Sequence, residues 1–120
     1  MNDVAIVTDA YVRVRLAQAV HALATTDGPL PERLFSASLA ISTLHPRDFA
    51  DPESRADFGA IREMLTRHEA LAKEGRIRAT LARMSDAEAR AVAERVFELD
   101  AQYRPVMNSH LDQGREVGRR

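Results

Sequence analysis

The sequence predicts an all-α fold, a compact bundle of four to five helices, on three observations. Apolar residues recur at intervals of three and four along most of the chain, which is the spacing of one helix face. Capping residues, glycines and prolines divide this pattern into segments. The 120 residues also include 20 alanines and 16 arginines, and both residue types favour helices.

The first half of the chain predicts two helices, over residues 8–25 and 31–44. Thr8 or Asp9 can cap the first helix by accepting a hydrogen bond from a free amide of its first turn. The second has apolar residues on more than one face, so we expect it to lie at the centre of the bundle. A loop follows it, and Phe49 is expected to anchor this loop to the core.

The third predicted helix has the clearest start in the sequence. Asp51 is a favourable N-cap, and Pro52 suits the first helical position because the missing N–H would have no partner there. The expected buried stripe of this helix is Phe58, Ile61, Met64, Leu65 and Leu71. Residues 73–75 interrupt the pattern, and residues 76–84 predict a short fourth helix.

The last predicted helix begins at Ser85 and Glu88, which form a capping-box sequence. Apolar residues then recur in a heptad-like seam, namely Ala89, Val92, Val96, Leu99 and Tyr103. Pro105 is expected to kink or end this helix. We therefore expect a single helical domain over residues 1–113 and a disordered basic tail over residues 114–120.

Composition excludes several classes of function. The chain has no cysteine, which excludes disulfides, thiolate metal ligands and a cysteine nucleophile. Its 17 basic and 18 acidic residues give a net charge of −1, so neither nucleic acid nor a membrane is the expected partner. No targeting signal or membrane-spanning run is visible, which predicts a cytoplasmic protein. The arginine and alanine bias indicates a GC-rich bacterial or phage source.

Patterns of catalytic and metal-binding residues are also missing. The four histidines lie on four different segments, without the His-x-x-x-His or Glu-x-x-His spacing of helical metal sites: His21, His45, His68 and His110. No Gly-x-Ser-x-Gly nucleophile motif occurs, and the five glycines form no phosphate-binding loop. We therefore predict no catalytic residue, no cofactor-binding residue, no metal ligand and no cofactor.

One alternative hypothesis is a ribonuclease. Arg62 and His68 are separated by five residues on a predicted helix, and this spacing resembles the Arg-x(4–6)-His motif of HEPN-type ribonucleases. The resemblance implies that His68 acts as the acid or base and that Arg62 holds the phosphate. Glu63 departs from the small polar residue that usually follows the arginine in that family. The two side chains can converge only if the helix breaks near Thr66.

A second alternative hypothesis is a DNA-binding protein. Residues 76–96 read as a helix, a tight turn at Met84-Ser85 and a second helix, which resembles a helix-turn-helix. Acidic residues share the outer face of the second helix with arginines, which weakens attraction to phosphate. A DNA binder would gather five arginines on one surface: Arg76, Arg78, Arg83, Arg90 and Arg95.

The leading hypothesis is a small non-enzymatic protein–protein interaction module. Apolar residues exceed the needs of one core stripe at residues 4–7 and 106–111, and surplus apolar surface often marks an interface. Arginine, nearly the only cation in the chain, is also enriched at interfaces. The expected partner is a protein, either a second copy in a homodimer or another protein. An accessory or inhibitor protein of a bacterial or phage system would have these properties.

Overall fold

The computed structural model describes residues 8–68 and 75–119, with side chains described as far as residue 103. Within these ranges the chain forms α-helices and one short 3-10 turn and no strand, so the predicted all-α bundle is confirmed. The helices are α1 (Asp9–Thr25), α2 (Leu30–Ile41), α3 (Pro52–Leu65), α4 (Gly75–Ala82) and α5 (Asp86–Arg119), and the 3-10 turn is Pro46–Asp48. None of the described helices combines the length and apolarity that crossing a membrane requires.

The α1–α2 hairpin begins with a side-chain cap and turns at a glycine. The Tyr11 N–H donates to Thr8 Oγ1 at 3.1 Å, so Thr8 rather than Asp9 caps α1. Gly28 has a φ of +107°, a left-handed conformation that a residue with a Cβ rarely adopts. The Arg33 guanidinium donates to the carbonyl of Leu23 at 3.0 Å and to that of Gly28 at 3.2 Å. This arginine therefore joins the two helices at the turn.

Helix α2 packs against α1, α4 and α5, but it is not enclosed on every side. One stripe of the helix is buried: Leu34, Ala37, Ser38 and Ile41. On the opposite side Leu39 is 53% exposed, so α2 lies among three other helices, as expected of a central helix, without being covered on every side. Phe35 and Ala40 lie outside the buried stripe and are partly buried against the same core, so the fold covers more than one face of α2.

Helix α3 begins and ends at side-chain caps. The Ser54 N–H donates to Asp51 Oδ2 at 2.9 Å, which confirms Asp51 as the N-cap. The Thr66 hydroxyl donates to the Arg62 carbonyl at 2.7 Å where the helix ends. The predicted stripe is confirmed at Phe58, Ile61 and Leu65, which are buried, and Met64 is half-buried against the same core. Leu71, the last predicted member, lies outside the described residues.

Removal of the α3 cap by Asp51→Ala is expected to lower the free energy of unfolding by about 1 kcal/mol, because the Ser54 N–H loses its acceptor. Urea denaturation followed by helical circular dichroism measures this change. Asp27→Ala is the matched control, since Asp27 is an exposed acid in the α1–α2 turn. Equal stability of the two variants would contradict the capping role of Asp51.

Helix α5 provides the longest stripe of the core. Every residue of the predicted seam is buried: Ala89, Val92, Val96, Leu99 and Tyr103. The Phe49 ring lies 4.9 Å from that of Phe58 and 5.2 Å from that of Tyr103, measured between centroids. This aromatic cluster joins α3 and α5 to the loop before α3, which confirms that Phe49 anchors the loop.

The C-terminal part of α5 extends beyond the predicted helix end. The helix continues through Pro105 to Arg119, although the sequence predicts a kink or an end at this proline. Proline removes one hydrogen-bond donor, and a helix can tolerate this loss by bending locally. Residues 114–119 thus belong to α5 in the structure. The division into a domain over residues 1–113 and a disordered tail stays a prediction.

Candidate functional site

Arg62 and His68, the residues of the ribonuclease hypothesis, do not form a common site. Helix α3 does end at Leu65, close to the required break, but Arg62 points to another histidine. Its Nη1 donates to His45 Nδ1 at 3.3 Å, and the ring nitrogen must accept because a guanidinium has no acceptor. The backbone N–H of His68 donates to Thr80 Oγ1 of α4 at 2.9 Å, which fixes His68 beside α4. The contact between Arg62 and His45 joins residues 17 apart, and no local pattern signals it.

His68 lines a small depression between α3, α4 and the start of α5. The other lining residues are Met64, Arg67, Thr80, Arg83, Met84, Glu88 and Val92. The depression has a volume of about 40 Å³, which is enough for one or two water molecules and too small for a nucleotide. Arg62 is not among its lining residues.

Two charged groups at this depression have protein partners of their own. Arg67 donates to Glu63 at 2.8 Å, and this hydrogen bond lowers the pKa of Glu63 and raises that of Arg67. The Ser85 N–H donates to Glu88 Oε1 at 2.8 Å, which lowers the pKa of the Glu88 carboxyl and confirms the predicted capping box. These contacts therefore stabilise the end of α3 and the start of α5.

The arginines of the helix-turn-helix hypothesis lie in separate surroundings. Arg78 contacts Glu32 at 3.2 Å and lies over the Phe35 ring, 3.8 Å from its centroid. Arg83 lines the depression beside His68, while Arg95 lies in a small cleft with acidic residues. Arg90 lines a groove on another side of α5, described below. Each of these four arginines has an acidic residue nearby, so they do not form a basic surface that could follow a DNA backbone.

Metal-binding chemistry has no counterpart in the described ranges. Across residues 8–68 and the described side chains of residues 75–103, no three histidine, aspartate or glutamate residues form a group that could hold a metal ion. The two apolar segments that suggested an interface in the sequence are residues 4–7 and 106–111. Residues 4–7 lie outside the described residues, and so do the side chains of residues 106–111.

An open groove lies along α5 and has a volume of about 620 Å³. Its lining residues are Val20, Leu23, Ala24, Leu30, Arg33, Arg90, Ala93, Glu94, Phe97 and Glu98. Helices α1 and α5 run antiparallel along it, because Asp9 at the start of α1 contacts Tyr103 in the middle of α5, while Leu23 near the end of α1 and Arg90 near the start of α5 line the same groove. We call this surface the Phe97 groove.

Phe97 is the most unusual residue of the groove. Its side chain is 54% exposed, although the neighbouring seam residues Val96 and Leu99 are buried. A phenylalanine ring left in water forgoes about 1.5–3 kcal/mol of hydrophobic stabilisation that burial would provide. Our sequence interpretation missed Phe97, since it considered only the seam. The available signal was a large apolar residue outside the seam, between Arg95 and Glu98.

Charged side chains of both signs border the apolar centre of the groove. Within the part of the chain that the structure describes, the side chains of Arg90, Glu94 and Glu98 form no hydrogen bond or ion pair. Arg33 differs, because its guanidinium already donates to the two turn carbonyls. The groove therefore combines an apolar centre with three charges that are available to a partner.

Comparisons with protein-family models, with curated proteins and with solved structures find no match to this chain. The class of the molecule is therefore defined by its own fold and surface. It is an all-α helical bundle with an open apolar groove whose rim carries charges of both signs.

Proposed function

We propose that this chain is a small non-enzymatic protein–protein interaction module that self-associates through the Phe97 groove. The observation that supports this most is the half-exposed Phe97 ring in a groove lined by Val20, Leu23 and Leu30. Contiguous apolar surface bordered by polar residues is typical of binding sites for proteins. Aromatic residues and arginine are also the residue types enriched at such interfaces.

A second copy of the chain is the partner that the groove favours. Its rim carries the cation of Arg90 and the anions of Glu94 and Glu98, so the surface can be complementary to itself. Two-fold dimers are also the commonest oligomers, because one self-complementary patch is enough to form them. We further propose a cytoplasmic location and a role as an accessory or inhibitor protein of a bacterial or phage system.

The substitution Phe97→Ser is expected to convert the homodimer into a monomer and to weaken self-association at least tenfold. The reason is that each protomer loses one apolar anchor, and a central aromatic anchor contributes about 2 kcal/mol or more. Light scattering at tens of micromolar protein measures the molar mass. Because Phe97 lies outside the core, circular dichroism should show an unchanged helical content.

Leu39→Ser is the matched control for this experiment. Leu39 is 53% exposed and Phe97 is 54% exposed, but Leu39 lies on α2 and does not line the groove. The Leu39→Ser variant should remain a dimer. A wild-type chain that is strictly monomeric at these concentrations would contradict the proposed function, as would equal dissociation of both variants.

A further inference from the structure

The order of charges along α5 bears on how two copies would pair. This inference rests on the proposed self-association through the Phe97 groove. Arg90 comes first along the groove, and Glu94 and Glu98 follow one and two turns later, about 6 Å and 12 Å along the helix axis. The N-terminal end of the groove face of α5 is therefore cationic and its C-terminal end is anionic.

We propose that the dimer is a two-fold antiparallel pair in which the α5 helices cross near Ala93. Antiparallel pairing places Arg90 of each protomer against Glu94 and Glu98 of the other. Parallel pairing would place like charges together and would be disfavoured. Since two-fold symmetry repeats every contact, the arrangement supplies two equivalent sets of attractive charges.

Ala93 is suited to the crossing point because it is the smallest α5 residue in the groove. A small side chain lets two helix backbones approach closely, and its neighbours Arg90 and Phe97 lie one turn to either side. With the axis at Ala93, position 90 of one helix faces position 96 of the other, between the two glutamates. Phe97 of one protomer then lies against the Arg90 end of the other protomer's groove, which Leu23 also lines.

A charge-exchange experiment tests whether Arg90 faces Glu94 and Glu98 across the dimer. The separate variants test the orientation, because a parallel pair would place position 90 against position 90 and reversal of its charge would leave the affinity unchanged. The variant Arg90→Glu and the double variant Glu94→Arg/Glu98→Arg should each dissociate at least tenfold more readily than the wild type, because each homodimer places like charges together. An equimolar mixture of the two should form a heterodimer close to wild-type affinity, since every reversed charge then meets its opposite. Sedimentation equilibrium of the separate and mixed variants measures all three affinities.

Arg95→Glu is the control for the change in net charge. Arg95 is also an exposed arginine of α5, but it lies in the cleft with Asp57 and outside the groove. This variant should dimerise like the wild type. An Arg90→Glu homodimer as stable as the wild type, or failure of the mixed variants to associate, would overturn the antiparallel arrangement, and it would leave the proposed function standing if Phe97→Ser still dissociates the wild-type dimer. A wild-type chain without self-association would overturn both.

Cross-linking tests the crossing point independently of charge. The chain contains no cysteine, so Ala93→Cys introduces a single thiol per protomer. Two such thiols near a two-fold axis fall within the Cα separation of roughly 4.4–6.8 Å that a disulfide requires. Mild oxidation should therefore convert most of the Ala93→Cys dimer into a linked dimer, whereas Arg95→Cys should stay unlinked. An Ala93→Cys dimer that resists linkage would overturn the crossing at Ala93.

Discussion

Replacement of Phe58 by alanine is expected to lower the free energy of unfolding by about 4 kcal/mol. Phe58 is fully buried, and its ring contacts that of Phe49 at a centroid distance of 4.9 Å. The substitution removes this buried surface and leaves a cavity between α3, α5 and the preceding loop. A domain of this size has a total stability of about 5–15 kcal/mol, so the loss brings the bundle close to unfolding.

Urea denaturation followed by helical circular dichroism measures the effect of Phe58→Ala. Phe97→Ala is the matched control, because it makes the same chemical change at a side chain that is half exposed. Under conditions where the protein is monomeric, the control should lose much less stability than Phe58→Ala. Similar losses in the two variants would contradict the assignment of Phe58 to the core and of Phe97 to the surface.

The second large effect concerns stability at alkaline pH and depends on Tyr103. Its hydroxyl donates to Asp9 Oδ1 at 2.7 Å and accepts from the Ala50 N–H at 3.0 Å. Burial and then the contact with Asp9 raise the pKa of Tyr103 to about 12, from an ordinary value of 10.0. The native state therefore favours the neutral phenol. The stabilising contribution of the neutral Tyr103 phenol is complete below pH 10 and is lost as the pH rises from about 10 through 12.

Within that pH window, ionisation of Tyr103 is expected to lower the free energy of unfolding of the wild-type chain by up to about 1.4 kcal/mol per pH unit. The Tyr103→Phe variant should lack this part of the alkaline loss. At pH 7 it should be less stable by about 1–2 kcal/mol, because the Ala50 N–H loses its acceptor. Urea denaturation at a series of pH values measures both effects.

The other tyrosine provides the control for Tyr103. The chain has two tyrosines and no tryptophan, so the Tyr11→Phe variant retains a single phenol whose ionisation can be followed by ultraviolet absorbance. That phenol should ionise near pH 12, and Tyr11→Phe should keep the alkaline loss of stability. Ionisation near pH 10 in the folded protein would contradict the burial of the Tyr103 hydroxyl.

Much of the fold could be predicted because its signals are local. The caps of α3 and α5 depend on residues three positions apart, at Asp51 and Ser54 and at Ser85 and Glu88. The buried stripe of α5 follows from a repeat of three and four residues, and one helix is enough to produce this repeat. The end of α5 was harder to predict, because a proline such as Pro105 can either end a helix or lie within one.

The candidate site could not be predicted from the same signals. The Phe97 groove exists only where the end of α1 and the start of α2 approach α5. Its apolar residues look in the sequence like ordinary members of a core. Whether a side chain such as Phe97 or Leu39 is covered depends on which neighbouring helix lies above it, and helical periodicity does not contain that information.

By itself, the sequence determined that this protein is an all-α bundle, where most of its helices begin and which stripes of α3 and α5 are buried. These properties depend on backbone hydrogen bonding and side-chain periodicity within a few residues. The tertiary structure decided that Arg62 contacts His45 rather than His68, and that Phe97 faces an open groove. The physical reason is that such contacts join side chains from different helices, so they depend on how the helices pack together.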